Sequence, residues 1–145
     1  MPFEADRQGN LRLREYYKDG SIEWGIPYTG DERSRNKRRH GTARQYWPNG
    51  NVKIERQYDR GNVVGTEKMF YPDGTPWQTT EYVDGRKDGA YKTFHKNGDP
   101  DVEAEYEQDE KVGDFRRFAP GRKKIQEMKL RERKRDRGRK KNPVR

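Results

Sequence analysis

Three five-residue stretches decide the fold of this chain: Tyr46-Trp47-Pro48-Asn49-Gly50, Phe70-Tyr71-Pro72-Asp73-Gly74 and Phe94-His95-Lys96-Asn97-Gly98. Each begins 24 residues after the one before it. Further columns keep the same spacing, namely Gly41, Gly65, Gly89 and Gly113; Gly50, Gly74 and Gly98; Tyr46, Phe70, Phe94 and Phe118; and Tyr58, Tyr82 and Tyr106. A fixed period of this length indicates a repeat architecture.

Each repeat places an Asn-Gly or Asp-Gly pair between two short runs, which predicts a β-hairpin with a two-residue type I′ turn. A turn centred on Asn49-Gly50 sets Trp47 opposite Val52. The same rule pairs Arg44 with Glu55, Lys68 with Thr79 and Lys92 with Glu103. Opposite charges that face each other across antiparallel strands are stabilising, which supports this register.

Side chains alternate along a strand, so the register also predicts two faces. One face carries the aromatic column with rows of charges, and we interpret its acids as surface salt-bridge partners: Arg44, Lys68, Lys92 and Arg116, with Glu55, Glu81, Glu103 and Glu105. The other face is more apolar, and we expect it to be better covered: Trp47, Val52, Ile54, Tyr58, Met69, Tyr71, Tyr82, Tyr91, Val102, Ala104 and Tyr106.

The predicted fold class is all-β, with antiparallel hairpin repeats of 24-residue period forming a single elongated, twisted sheet or solenoid. A loose N-terminus (1–10) precedes a repeat domain at 11–121. That domain divides into a divergent first repeat (11–30), a basic loop (31–40), full repeats (41–64, 65–88, 89–112) and a capping strand (113–121). Residues 122–145 form a basic tail, predicted to be partly helical or disordered. Whether the first repeat joins the sheet is left open.

The net charge of +9 is concentrated at one end of the chain. Residues 122–145 hold 13 Lys and Arg against three acids, a net of +10, so residues 1–121 carry a net of −1. Basic segments gain affinity for phosphates by releasing condensed counterions. We therefore predict that the tail binds nucleic acid, RNA in preference, through Arg122, Lys123, Lys124, Lys129, Arg131, Arg133, Lys134, Arg135, Arg137, Arg139, Lys140 and Lys141.

Two further features are weighed against plainer interpretations. The basic loop offers a secondary patch, although a flexible charged loop fits it equally well: Arg33, Arg35, Lys37, Arg38 and Arg39. The aromatic columns offer a stacking platform for bases or a groove for a peptide. Packing of one repeat against the next is the favoured interpretation of these columns.

Catalytic chemistry is not expected. The chain has no cysteine, only two histidines (His40 and His95), and two serines (Ser21 and Ser34). It lacks an HExxH, P-loop or dinucleotide motif, so no enzyme, metal or cofactor is predicted. The start of the chain does not resemble a signal peptide, and no stretch of 18 apolar residues is present. A cytoplasmic location is the default expectation.

Over roughly residues 11–121 the pattern resembles the MORN-repeat variant found in many bacterial proteins. The resemblance rests on the three stretches quoted above and on Tyr16-Tyr17-Lys18-Asp19-Gly20. It supplies no catalytic residues. Proteins of this kind are often labelled antitoxin components, and the broader group is associated with membranes, phosphoinositides and scaffolding. The basic loop, the missing glycine near Asp109 and the basic tail depart from the pattern.

These observations favour a non-enzymatic binding or scaffold protein whose tail holds RNA in a ribonucleoprotein assembly. The alternative is an antitoxin-like module that binds a protein partner on a sheet face. A weaker alternative is peripheral association with anionic lipid, which the lack of a Trp, Phe or lipidated Cys in the tail disfavours.

Overall fold

The computed structural model describes residues 3–5, 7, 10–30, 35 and 37–119. Eleven strands form one open antiparallel sheet in the order β1-β2-β3-β5-β6-β7-β8-β9-β10-β11, and β4 pairs with β3. The strands are β1 (Phe3–Ala5), β2 (Leu11–Tyr16), β3 (Ile22–Thr29), β4 (Arg38–Arg39), β5 (Gly41–Tyr46), β6 (Val52–Asp59), β7 (Asn62–Phe70), β8 (Pro76–Val83), β9 (Arg86–Phe94), β10 (Pro100–Glu107) and β11 (Glu110–Arg117). The predicted all-β hairpin-repeat fold is confirmed.

The Asn-Gly turns differ from the predicted two-residue type. In the second repeat the Trp47 carbonyl accepts from Gly50 N–H at 2.9 Å, and Trp47 N–H donates to the Asn51 carbonyl at 2.7 Å. Three residues therefore form the loop, and of these Gly50 has positive φ while Asn49 does not. The fixed φ of Pro48 suits the first central position of a type I turn, and the turns that have Lys18 and Lys96 at this position make the same hydrogen bonds.

A bulge next to this turn keeps the rest of the predicted register correct. Tyr46 pairs with Val52 but Gln45 pairs with Ile54, so Lys53 has no partner on β5. Beyond the bulge, the predicted pairs Arg44–Glu55, Lys68–Thr79 and Lys92–Glu103 are all present. Val52 was assigned to the wrong face, since it shares the face of its partner Tyr46.

The second turn of each repeat is the one with type I′ geometry. Positive φ occurs at both central residues of Arg60-Gly61, Asp84-Gly85 and Gln108-Asp109. Two-residue turns of this type match the right-handed twist of the strands that they join. The third of these turns contains no glycine, since Gln108 and Asp109 adopt positive φ themselves. The repeat therefore keeps its turn although the glycine near Asp109 is missing.

The glycine column at the start of each repeat lies in large bulges. Gln57 pairs with Val64 while Glu55 pairs with Lys68, so Arg56 alone faces Gly65, Thr66 and Glu67. The equivalent glycines Gly41, Gly65, Gly89 and Gly113 all have φ between 69° and 118°. Because this left-handed region is costly for residues with a Cβ, the bulges require glycine.

Most buried residues of the strands lie on the face that was predicted to be better covered, and Phe118, which follows β11 in the column of Tyr46, is buried as well. Ile26, Ala43 and Tyr58 form one packed cluster, and Val102 and Ala104 are buried farther along the sheet. We call this the inner face. The opposite face, which carries Arg44, Glu55, Lys68, Lys92 and Glu103, is called the charged face. Each is continuous because directly paired residues on neighbouring strands point the same way.

The first repeat belongs to the same sheet, which answers the question left open by the sequence. Trp24 pairs with Gln45, and Gly25 pairs with Arg44. Arg38 and Arg39 add a short strand beside Thr29 and Tyr28. Among the described residues, no helix has the length and apolar character of a membrane span.

Candidate functional site

The predicted nucleic-acid-binding residues of the tail, Arg122 to Lys141, lie outside the described residues, as does Arg33. Of the secondary basic patch, Arg35, Lys37, Arg38 and Arg39 are described. Arg35, Arg38 and Arg39 are exposed. Lys37 lies over the ring of Phe3, with its Nζ 5.5 Å from the ring centroid.

Arg39 has a structural role that the charge pattern did not predict. Its guanidinium donates to the hydroxyl of Tyr28 at 3.3 Å and to that of Tyr58 at 3.2 Å. These two hydrogen bonds raise the pKa of Arg39 above its already high usual value. Arg39 therefore joins the first repeat to the second, and only part of the basic loop is available as a free patch.

A polar cluster lies on the inner face in the second and third repeats. Arg56 Nε donates to the carboxylate of Glu67, and Arg56 Nη1 donates to Tyr58 Oη at 3.2 Å. The Glu67 side chain is only 3% exposed. Burial works against the charge of Arg56, but Tyr58 and Glu67 outweigh it and raise the pKa of Arg56. Burial, and then the charge of Glu67, raises the pKa of the nearby Tyr82 hydroxyl.

A ladder of ring side chains runs along the Asn-Gly end of the sheet. A polar group of each ring contacts a main-chain carbonyl of the next repeat. The hydroxyls of Tyr17 and Tyr71 donate to the carbonyls of Tyr46 at 2.6 Å and Phe94 at 2.7 Å. The Trp47 Nε1–H donates to the Phe70 carbonyl at 3.1 Å, and His95 Nε2 lies 3.1 Å from the Phe118 carbonyl oxygen. We call these four side chains the ring ladder. These four rings connect neighbouring repeats.

The bulge residues contact the ring ladder. Lys53 Nζ lies 4.6 Å from the centroid of the Trp47 ring. The rings of Trp77 and Tyr71 are 6.2 Å apart, centroid to centroid. From the next turn, Lys96 Nζ lies 5.8 Å from the centroid of the Tyr71 ring. Trp77 is still 42% exposed. The third repeat thus presents an aromatic surface to solvent.

The charged face holds the predicted acids in different roles. Glu55 pairs with Arg44 at 3.0 Å, and Glu103 pairs with Arg116 on the next strand at 3.8 Å. Glu81, which was interpreted as a salt-bridge partner, instead accepts the Ala90 N–H of a glycine bulge at 2.7 Å. This role of Glu81 was not predicted, because the sequence pattern does not show which main-chain N–H groups a bulge leaves without a partner in the strand ladder.

An open groove of about 560 Å³ crosses the charged face near the N-terminus. Its lining includes Arg12, Arg14, Arg44, His40 and Thr42. Arg14 is paired with Glu4 at 2.6 Å, and Arg44 is paired with Glu55 at 3.0 Å. The groove is cationic, but most of its charge is already compensated.

The side chains that a catalyst would need have other partners. The Ser21 hydroxyl donates to Asp19 at 2.6 Å, and His95 belongs to the ring ladder. His40 Nδ1 accepts the Arg60 N–H at 3.2 Å. Within the described part of the chain, no group of three His, Asp or Glu side chains could hold a metal ion. Ser21 therefore belongs to a turn, and His95 belongs to a contact between repeats.

Comparison with known proteins identifies the repeat. The family described as MORN repeat variant matches three consecutive segments, residues 39–60, 63–84 and 87–108. Each segment contains one Asn-Gly-type turn and ends at the first central residue of a type I′ turn, namely Arg60, Asp84 or Gln108. No curated protein and no solved structure matches the chain.

Proposed function

This chain carries three consecutive MORN-repeat variants, and from that premise we propose that it is a cytoplasmic, non-enzymatic binding scaffold whose basic tail holds RNA. The repeat type accounts for a binding or scaffold role. The finer proposal concerns the tail and depends on its charge.

The observation that carries the proposal is the separation of charge. The tail has a net charge of +10 and the rest of the chain −1. On the sheet, arginines such as Arg14, Arg39, Arg44 and Arg56 are held by carboxylates or hydroxyls. A polyanion that approaches the chain therefore finds its largest uncompensated positive charge in the tail.

A salt series tests the proposal on the full-length chain. Affinity for single-stranded RNA should fall steeply with salt, with a log–log slope of about −0.7 for each phosphate contacted. The test variant replaces Arg133, Lys134, Arg135, Arg137, Arg139, Lys140 and Lys141 by Gln. Its slope should be several units shallower than that of the parent chain, and its affinity much weaker at low salt.

The matched control replaces Arg35 and Arg38 by Gln, which changes the exposed part of the basic loop and leaves the tail intact. It should bind RNA almost as the parent chain does. Equal, weak binding by all three proteins would contradict the proposal. Binding to vesicles rich in anionic lipid but not to RNA would do the same and would favour lipid association.

A protein-binding module is the second candidate, and the exposed aromatic surface of Trp77 and Tyr71 favours it. Large aromatic side chains are enriched at the centres of protein interfaces. A partner bound there should be retained at high salt and by the tail variant, and should be lost on Trp77→Ala. This result is the opposite of the one expected for tail-mediated binding.

A further inference from the structure

The alternation of charge on the charged face is interrupted at Gly25. Gly25 lies between two cations, since it pairs with Arg14 on one side and with Arg44 on the other. The equivalent positions of the later repeats also lie between two cations, and two of the three are acidic: Glu55, Thr79 and Glu103. The first repeat therefore keeps the cations of this row but lacks the side chain that separates them.

The backbone conformation does not require glycine at position 25. Its φ lies outside the left-handed region, unlike that of the bulge and turn glycines. A Cβ there would have one close neighbour, Arg12 Nη1 at 3.6 Å, which is an ordinary van der Waals contact. Gly25 is buried, and the guanidinium of Arg12 lies over the place where a side chain begins in the later repeats.

The neighbouring row of the charged face changes in the same direction. Arg12 pairs with Pro27. The equivalent pairs of the later repeats combine a small side chain with an acidic or amide side chain: Thr42–Gln57, Thr66–Glu81 and Ala90–Glu105. In this row the first repeat has gained a cation and has proline in place of the acidic or amide side chain. Arg12 and Arg14 therefore have no acid opposite them on β3.

Two acids approach the three arginines from outside this gap. Arg14 pairs with Glu4 at 2.6 Å, and Arg44 pairs with Glu55 at 3.0 Å. Three guanidinium charges against two carboxylates leave a net charge of +1. Arg12 is exposed, and the side chains of Arg14 and Arg44 are 41% and 43% exposed. All three therefore reach solvent in the groove described above, which they line.

The size of this charge and its position indicate a carboxylate as the ligand. A carboxylate is a monoanion that can accept two parallel N–H bonds from one guanidinium. It is also the group that Glu55 and Glu103 supply at the equivalent positions. A phosphomonoester carries a charge of about −1.5 to −2 at pH 7, which exceeds the charge left on the arginines. The groove of about 560 Å³ leaves room for the chain that carries the carboxylate.

We propose that this groove binds an acidic peptide, and that a Glu or Asp side chain of the peptide takes the place above Gly25. Arg12, Arg14 and Arg44 hold its carboxylate. The partner completes the alternation of charge that the later repeats complete with their own side chains. The site lies in the first repeat, whereas Trp77 lies in the third, and it does not involve the tail. It therefore stands or falls separately from the functions proposed above.

A carboxylate supplied by the chain itself tests the proposal. The test variant is Gly25→Glu. The matched control is Thr79→Glu, which adds the same charge at the equivalent position between Lys68 and Lys92. Both are made in the full-length chain, so the contribution of the basic tail is the same in each. The probe is a fluorescein-labelled Ser-Glu-Ser-Glu-Ser peptide, and fluorescence anisotropy measures its binding.

This Glu peptide should bind Gly25→Glu at least about tenfold more weakly than Thr79→Glu, because the built-in carboxylate occupies the arginines. Equal affinity of the two variants for the Glu peptide would overturn the proposal. Equal binding of the parent chain to the Glu peptide and to one with Gln in place of Glu would do the same. A larger difference between the variants with a phosphoserine peptide would overturn the choice of a carboxylate.

Arg12→Gln provides a second measurement for the case in which Gly25→Glu perturbs folding. Its control is Lys18→Gln, which removes the same charge from an exposed turn position of the same repeat. Arg12→Gln should weaken binding of the Glu peptide several-fold relative to Lys18→Gln, whereas the two variants should bind single-stranded RNA alike. Equal peptide binding, or a loss of RNA binding in Arg12→Gln alone, would refute a peptide site.

Discussion

Glu67 shows how a single residue in this sheet can depart from the repeat pattern. The equivalent positions hold Ala43 and Tyr91, so the column gives no hint of a buried carboxylate. Its partner Arg56 is likewise replaced by Thr80 and Ala104 in the later repeats. The pair was not predicted, because the 24-residue period identifies which positions are equivalent but not which neighbours exchange charge across a bulge.

Removing one member of this pair should be costly. We expect Glu67→Ala to lower the free energy of unfolding by about 2–3 kcal/mol, because Arg56 is then left half-buried without a counter-charge. Denaturant unfolding measures the loss. The control Arg44→Ala removes an ion pair that is more exposed than Arg56–Glu67, and it should cost less than about 1 kcal/mol. Similar losses of unfolding free energy in the two variants would show that burial does not increase the contribution of the Arg56–Glu67 pair to stability.

Gly89 is a residue whose identity is required by two separate factors. Its φ is 118°, and a Cβ at this position would collide with the carboxylate of Glu81. Gly98 has positive φ too, but a Cβ there would meet no atom within 4 Å.

These two glycines therefore make a matched pair for substitution. Gly98→Ala should lower the free energy of unfolding by about 1–2 kcal/mol through backbone strain alone. Gly89→Ala should lose more, since it also displaces Glu81 from the Ala90 N–H. Thermal melts of both variants check the order, and a smaller loss for Gly89→Ala would contradict the bulge geometry.

At the level of elements, the Asn-Gly and Asp-Gly turns were located correctly, but the type I′ geometry predicted for them occurs in the second turn of each repeat. The Asn or Asp before each turn glycine is present because its side chain accepts the N–H two residues on, as from Ser21 to Asp19 and from Thr75 to Asp73. Asn and Asp make such bonds in several turn types. The dipeptide therefore located the turns correctly without determining their geometry.

Two of these turns are expected to respond to acid. The Ser21 hydroxyl and N–H lower the pKa of Asp19, and the Thr75 hydroxyl and N–H lower the pKa of Asp73. A carboxylate with a lowered pKa stabilises the fold above its unfolded pKa of about 3.9, and this stabilisation is lost as pH falls through the folded pKa. Stability should therefore decrease on acidification below about pH 4.

The variant Asp19→Asn with Asp73→Asn separates this effect from general acid denaturation. Asn keeps the side-chain acceptor, as Asn49 and Asn97 do in the other repeats, but does not titrate. Its melting temperature should fall less between pH 5 and pH 2 than that of the parent chain. Parallel pH profiles would exclude these turns as the source of the acid sensitivity.

At the level of the whole molecule, the sheet is a row of equivalent units in which each touches its neighbours. The 24-residue period was sufficient to predict the strand number per repeat, the faces and most of the register, since these depend on spacing alone. The ring ladder was not predicted, because its four side chains, Tyr17, Trp47, Tyr71 and His95, belong to three residue types and their acceptors are main-chain carbonyls.

Removal of one unit should leave a folded protein. Deletion of residues 65–88 joins Val64 to Gly89, so each column remains in register. We expect the shortened chain to keep its β-sheet circular dichroism and to unfold with a smaller denaturant dependence, because less surface is buried. Deletion of residues 65–76, half of a unit, should abolish the cooperative transition. Equal behaviour of both deletions would contradict a modular sheet.

The ring ladder also affects how such a chain can change over time. Each of the three inner units carries its own ring, Trp47, Tyr71 or His95, and offers a main-chain oxygen that no substitution removes. An in-frame gene duplication of one unit would thus create a new contact on each side at once, without compensating mutations. Rings as different as those of tyrosine, tryptophan and histidine already serve in the four units, so copies are free to diverge afterwards while the array stays intact.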